Sequence, residues 1–256
     1  MNFNNLSNYS SNLYSQNGED GIISEILKRL NLNQKEYWCV EFGAWDGIYC
    51  SNTFALVERN NWNAIYIEGD KERYNDLVET SKKYKNITSI NKFVESDNNH
   101  KNSLDNILTN TLLPNDYEIL SIDVDSYDLA IFNEYDGRPK IVCIEINSSI
   151  LPGILQWHNG KKFVGNSFTS TLKVAEDKGY TFVCHTGNMI FVRNDMVSKL
   201  DLDESSIMYP ERLFRDDWIR ISKIHKRKES FLSKIKNKIK KFFKLLFNNL
   251  PIIKRY

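Results

Sequence analysis

Short apolar runs alternate with amphipathic stretches along most of the chain. Ile22, Ile23, Ile26, Leu27 and Leu30 recur at helical spacing, and Glu19 and Asp20 precede them where acids favour a helix dipole. Tyr37 to Phe42 is nearly unbroken in apolar character, as a parallel strand buried on both faces requires. Ala64 to Ile67 repeats that pattern and ends at Glu68. Between the two runs, Ser51-Asn52-Thr53 reads as a helix N-terminus leading into residues 54 to 59, which completes a βαβ unit. The spacing then predicts a helix over 71–83, a strand over 87–94, a helix over 103–108 and a strand over 117–124. A short helix over 129–133, a fifth strand over 140–146 and a helix over 169–178, stopped by Gly179, come next. Residues 180–183 and 189–192 flank the turn His185-Thr186-Gly187-Asn188, which predicts a closing antiparallel hairpin. The fold class is therefore α/β: a Rossmann-like, doubly wound, mainly parallel sheet with a C-terminal antiparallel hairpin.

Composition supports one sizeable core: 256 residues, 41% hydrophobic and 12% aromatic, exclude disorder as the dominant state. No apolar run approaches the ~20 residues that span a bilayer. The polar first thirty residues carry no cationic start or apolar signal core, so a cytoplasmic location is expected. Cys39, Cys50, Cys143 and Cys184 form no C-x-x-C pair and are read as free thiols, mostly buried in strand-like runs.

The net charge of +1 hides a split. Residues 221–256 hold twelve Lys or Arg against Glu229 alone, a charge of +11, which leaves −10 on residues 1–220. Residues 1–220 are expected to form the domain and 221–256 a basic amphipathic helical tail, with Phe231, Leu232, Ile235, Ile239, Phe242, Phe243 and Leu246 at helical spacing among lysines. Such a helix suits an anionic membrane surface at the inner face of the membrane, its own body, or a second copy in a homodimer. Nucleic acid is not an expected partner, because the basic residues are confined to the tail and no DNA-binding motif accompanies them.

Ligands of open α/β sheets bind beyond the carboxyl ends of the strands. The first strand leads there into Glu41-Phe42-Gly43-Ala44-Trp45-Asp46-Gly47, whose glycines let the backbone approach a ligand. Glu68 ends the next strand, where an acid commonly accepts from ribose hydroxyls, so the pair points to an adenosine-type cofactor. Asp123 and Asp125 end the fourth predicted strand, and Glu145 with Asn147 ends the fifth. Adjacent strands bring Asp123 and Glu145 into one crevice, and oxygen ligands of this kind suit Mg²⁺ or Mn²⁺. The alternatives are that Asp123 only binds the cofactor and that Asp125 only caps the following helix. His158, in a loop beyond the fifth strand, is a candidate base for an acceptor's proton or a surface histidine.

Several of these segments carry a resemblance. Tyr14 to Gly21, Val40 to Gly47, Ser51-Asn52-Thr53, Ile67 to Asp70, Ser121 to Asp125, Cys143 to Asn147, Asn166-Ser167-Phe168 and the hairpin look like FkbM-type S-adenosylmethionine-dependent methyltransferases, over about residues 14 to 195. The resemblance implies a class I methyltransferase fold in which Glu41, Gly43 and Ala44 line the methionine part of the cofactor. Glu68 would hold the ribose and Phe93 would border the adenine, while Gln16, Asp20 and Asn52 would close over the methionine end. Asp123 and His158 are the candidate catalytic residues, and Asp123, Asp125, Glu145 and Asn147 the candidate metal ligands, as in metal-dependent O-methyltransferases. The implied reaction is O-methylation of a sugar hydroxyl or substituent in a bacterial surface polysaccharide (capsule) precursor, a small-molecule or glycan acceptor. Competing readings are methylation of nitrogen or a phosphoryl oxygen, a Mn²⁺-dependent nucleotide-sugar transferase, and a non-catalytic membrane-docked scaffold.

Overall fold

A computed structural model describes residues 5–32, 36–160 and 165–216; the expected tail, 221–256, lies outside them. The strands are β1 (Trp38–Phe42), β2 (Asn63–Glu68), β3 (Ile87–Asn91), β4 (Ile119–Ile122), β5 (Ile141–Glu145), β6 (Tyr180–His185) and β7 (Asn188–Arg193). The helices are α1 (Glu19–Arg29), α2 (Phe54–Asn60), α3 (Lys71–Lys83), α4 (Leu104–Leu108), α5 (Asp128–Glu134), α6 (Phe168–Asp177) and α7 (Glu204–Met208). They build one seven-stranded sheet in the order β3-β2-β1-β4-β5-β7-β6. Strands β1 to β5 pair in parallel, and β7 runs antiparallel between β5 and β6. This is the expected doubly wound sheet with its closing hairpin.

Alternation along the strands sends side chains to two cores. Cys39, Ala64, Tyr66, Ile119, Ile141 and Cys143 pack with residues of α1, α2 and α3 on one face. Val40, Phe42, Ile65, Ile67, Leu120, Ile122 and Ile144 pack with residues of α4, α5 and α6 on the other. The four cysteines are free thiols; Cys39, Cys143 and Cys184 are buried and Cys50 is half-buried.

Two expected strands are shorter than their apolar runs. The fourth stops at Ile122 and the third at Asn91, so Asp123, Asp125 and Phe93 stand in loops rather than on strand ends. Asp123 still extends the ladder by one bond, its N–H donating to the Phe42 carbonyl at 3.2 Å. The acids that open α1 do more than favour its dipole. Glu19, fully buried, accepts from Thr186 Oγ1 and Asn188 Nδ2 in the hairpin turn and from the Asn17 N–H. The turn histidine is also tied in: His185 is buried, its Nε2 lies 3.0 Å from Ser148 Oγ, its Nδ1 accepts from the Arg215 N–H, and its ring stacks on Phe214.

Burial and the nearby Arg215 charge lower the His185 pKa to about 4. The folded state therefore disfavours the proton that the unfolded chain takes up near pH 6.5. The stability held above pH 6.5 falls as the pH drops through the window from 6.5 to about 4, by about 1 kcal/mol at pH 5.5. Thermal unfolding across this window checks it: the wild type should lose stability relative to His185→Gln as the pH falls.

Candidate functional site

The strand order reverses between β1 and β4, and the crevice outside their carboxyl ends is where such a sheet binds ligands. A cleft of about 620 Å³ occupies that place, reaching from the loops after β2 and β3 to the loop after β4 and the end of β5. Gly43, Glu68, Phe93, Asp123 and Glu145 line it. Five strands at ~4.8 Å spacing give the cleft a length of roughly 19 Å.

Its floor depends on one close approach. Gly43 has φ +78°, and a β-carbon there would lie 1.6 Å from the Asp123 carbonyl oxygen. Only glycine accepts both the left-handed backbone and the contact. The Gly43 and Ala44 N–H groups then donate to the Ile67 carbonyl, bending the chain after β1 over the end of β2. Ala44 is thereby buried in the core and does not line the cleft.

Glu68 is the pivot of the β2 side. Its Oε2 accepts from the Trp45 N–H at 2.8 Å and its Oε1 from the Asp70 N–H at 2.7 Å. An ionised carboxylate has about four acceptor sites, so about two remain for hydroxyls of a ligand. Beside it the Phe93 ring lies against Gly69, where any β-carbon would fall within 3 Å of the ring. Phe93 is 69% exposed and offers a ring face to the cleft.

The β4 and β5 side is acidic. Asp123, Asp125 and Glu145 each offer one carboxylate oxygen within 4.8 Å of the others. Burial, with the charges of Asp128 and Asp125 added, pushes the Asp123 carboxyl well above the usual carboxylate range. Burial and the Asp123 charge do the same to Glu145. Two carboxyls so placed cannot both ionise freely, so near neutrality the pair retains a proton unless a cation stands between them. Asp125 does not cap α5. It occupies a left-handed conformation, φ +61°, and Asp128 fixes the loop on either side by accepting from the Val124 N–H at 2.7 Å and the Ser126 N–H at 2.9 Å. That clamp holds Asp125 out toward the cleft.

Other expected site residues are turned to different work. Glu41 lines the cleft, but its carboxylate accepts from Ser51 Oγ, the Asn52 N–H, and both the N–H and Oγ1 of Thr53. It satisfies the donors at the start of α2, which have no intrahelical partner. Asn52 is buried outside the cleft and donates through Nδ2 to Ser121 Oγ. Asp20 Oδ2 accepts three N–H groups, from Leu13, Tyr14 and Ser15, each at 2.8 Å. It thus fastens the loop that delivers Gln16 to the cleft, without lining the cleft itself. Asn147 Oδ1 accepts from the Ser149 N–H at 3.0 Å within its own loop and does not line the cleft. His158 stands behind the wall: its ring packs edge-on against Tyr127 at 4.7 Å, and Tyr127 is the residue that reaches the cleft.

The remaining wall was not legible in the sequence. Trp45 carries the Arg73 guanidinium over its ring at 4.0 Å and packs edge-on against Tyr49 at 5.3 Å. All three line the cleft with Lys92 and Tyr127. Two aromatics around Gly47, in a loop between β1 and α2, are the only sequence signal for this surface. Cation and ring together give that wall a rigid, amphipathic face.

No family model and no curated protein matches this chain. Several solved structures are similar to it. TrmK of M. capricolum, in complex with the natural cofactor product S-adenosyl-homocysteine, is 15% identical over 83% of this chain and 85% of that one, with a TM-score of 0.44. Precorrin-6y C5,15-methyltransferase of Geobacter metallireducens is 14% identical over 72% of this chain and 90% of that one, with a TM-score of 0.41. A proposed sarcosine dimethylglycine methyltransferase of Galdieria sulphuraria is 16% identical, with a TM-score of 0.42; the match covers 64% of this chain and 62% of that one, less than two thirds of its length.

Proposed function

We propose that the chain is an S-adenosylmethionine-dependent O-methyltransferase that acts on a sugar hydroxyl or substituent of a surface-polysaccharide precursor, with assistance from a divalent cation. The observation that carries this reading is a single cleft with a ribose-type acceptor, Glu68, at the end of β2 and three converging carboxylates beyond β4 and β5. The acceptor rests on the sequence resemblance alone.

The residues divide the work along the cleft. Glu68 accepts from the ribose hydroxyls, held for that task by the Trp45 and Asp70 N–H groups. Phe93 provides a ring face for the adenine. Gly43 lets the Asp123 backbone close against the end of β1, which makes the floor beneath the sulfur end. S-adenosylmethionine supplies a methyl group on a sulfonium, and Mg²⁺ or Mn²⁺, when bound, lowers the pKa of an acceptor hydroxyl. The donor set fits a hard cation: three carboxylates converge, and two of them have too little solvent to ionise together. Asp123, Asp125 and Glu145 would hold it. Transfer of the methyl to the acceptor oxygen would break the carbon–sulfur bond with its electron pair left on sulfur, and the acceptor proton would leave to solvent water in the open cleft, because Asp123 and Glu145 would be engaged with the cation. Orientation of the two reactants in one cleft accounts for much of the rate.

Incubation with isotopically labelled S-adenosylmethionine and a panel of nucleotide-linked sugars tests the reading. Label on a sugar oxygen supports it, label on nitrogen or a phosphoryl group replaces the acceptor, and no transfer with any member removes the glycan assignment. On the cofactor side, Phe93→Ala is expected to weaken S-adenosylhomocysteine binding by ~1 kcal/mol, about fivefold. Equilibrium titration measures this.

A further inference from the structure

Within the segment between β5 and α6, residues 146–167, the stretch from Ile146 to Gly160 holds no Lys, Arg, Asp or Glu, in a chain that is 26% charged, and Lys161 and Lys162 follow it directly. Leu151, Ile154, Leu155 and Trp157 within it are 59%, 49%, 67% and 41% exposed. Their exposure is not that of a loose loop. The Gly153 N–H donates to Thr169 Oγ1 at 2.7 Å, the Gln156 N–H to Ser170 Oγ at 2.9 Å, and Ser167 Oγ to the Ile154 carbonyl at 2.7 Å. Asn166, itself buried, accepts from the His158 N–H and donates to the Ser126 carbonyl. The first turn of α6 therefore fastens this backbone while its largest apolar side chains point away from the core. The same bonds join the loop to Ser126 and, through the His158 ring, to Tyr127, so it stands beside the cleft.

We infer that residues 151–157 dock the protein on an anionic lipid surface, with Leu151, Ile154, Leu155 and Trp157 entering the boundary between headgroups and acyl chains. Four half-exposed side chains offer roughly 300–400 Å², short of the ~800 Å² per partner that a stable dimer buries. Shallow insertion of a few aliphatics and an indole is, in contrast, what an interfacial segment does. Apolar insertion of this size needs a second attraction; residues 1–220 carry −10, so the attraction to an anionic leaflet falls to Lys161 and Lys162, which follow the stretch directly in the sequence, and to the +11 of residues 221–256. This docking goes beyond the methyl-transfer reading and stands or falls separately from it.

The test uses the full chain. Cosedimentation is measured with vesicles of phosphatidylcholine alone and of phosphatidylcholine with phosphatidylglycerol, for the wild type and for a variant with both Ile154→Ser and Leu155→Ser. Binding to the anionic vesicles that drops at least about tenfold in the variant is expected, since two aliphatic side chains no longer leave water. Vesicles with brominated acyl chains should quench the wild type more than Trp157→Phe, which reads insertion even if the double variant fails to fold. Equal partition of wild type and folded variant, or equal quenching of wild type and Trp157→Phe, overturns the proposal. So does a dimer in sedimentation velocity that Leu155→Ser dissociates, or a Trp157 shielded from acrylamide before any vesicle is added, since either gives the loop another occupant. S-adenosylhomocysteine titration of the same variants separates a failure of docking from a failure of the cleft.

Discussion

Asp123→Asn is expected to abolish turnover, to leave S-adenosylhomocysteine affinity within about tenfold (~1.4 kcal/mol), and to raise the thermal midpoint of the cation-free protein at pH 8. Glu145→Gln should do the same. The turnover loss follows from removing a cation ligand, and the midpoint shift from removing a buried carboxyl charge. Both carboxyls are held above their ordinary range because burial removes solvent; the charges of Asp128 and Asp125 add to this at Asp123, and the Asp123 charge adds to it at Glu145. The unfolded chain releases these protons near pH 4, whereas the folded chain retains at least one of them. Unfolding therefore releases protons, and stability falls as the pH rises above about 4 until the folded carboxyls ionise as well. An amide at either position removes the repulsion, so the variant should lose less stability between pH 5 and pH 8. One kcal/mol corresponds to about 2–4 °C in a chain of this size. Mg²⁺ or Mn²⁺ should stabilise the wild type at pH 8 and not the variants, because the ion replaces the shared proton. Thermal unfolding at the two pH values, with and without chelator, reads all of this. Unchanged turnover in both variants would remove the carboxylate pair from the chemistry, and a midpoint that falls at pH 8 would remove the charge argument.

Glu68→Ala is expected to weaken S-adenosylhomocysteine binding by ~1–3 kcal/mol, the loss of hydrogen bonds to a charged acceptor. The side chain is buried, and its oxygens already anchor the Trp45 and Asp70 N–H groups. Alanine leaves both donors without that acceptor and loosens the loop that carries Trp45 and its stacked Arg73. Glu68→Gln keeps an oxygen for one N–H group but loses the charge, so it should fall between wild type and alanine. Calorimetric titration gives the ordering. An affinity unchanged in Glu68→Ala would take Glu68 out of the ligand site and reduce it to an anchor of its loop.

The sheet was legible because period-two burial and unbroken apolar runs follow directly from parallel strands covered on both faces. The same logic placed Glu68, and placed Asp123 near Glu145 once β4 and β5 proved to be neighbours. What sequence did not reveal is which polar groups are taken up inside the fold. Glu41 looked like a ligand residue, yet the donors of Ser51, Asn52 and Thr53 around the start of α2 need an acceptor, and Glu41 is the buried one within reach. Asp20 has a similar history, with three loop N–H groups converging on it. For Asp125 the sequence left two readings, cation ligand or helix cap, and only the fold decides between them: Asp128 takes the local N–H groups and Asp125 faces the cleft. The Trp45–Arg73 stack was out of reach for another reason: it joins side chains from separate elements, and no periodicity along the chain encodes such a contact.

The central claim is that the cleft over β1, β2 and β4 holds an adenosine-based cofactor. Calorimetric titration of S-adenosylhomocysteine into chelator-treated protein, repeated with Mg²⁺ and with Mn²⁺, tests it most directly. Micromolar binding, on the order of −8 kcal/mol, is predicted, with a separate cation-binding heat that Asp123→Asn eliminates. Absence of binding heat under all three conditions, confirmed by equilibrium dialysis, would contradict the account.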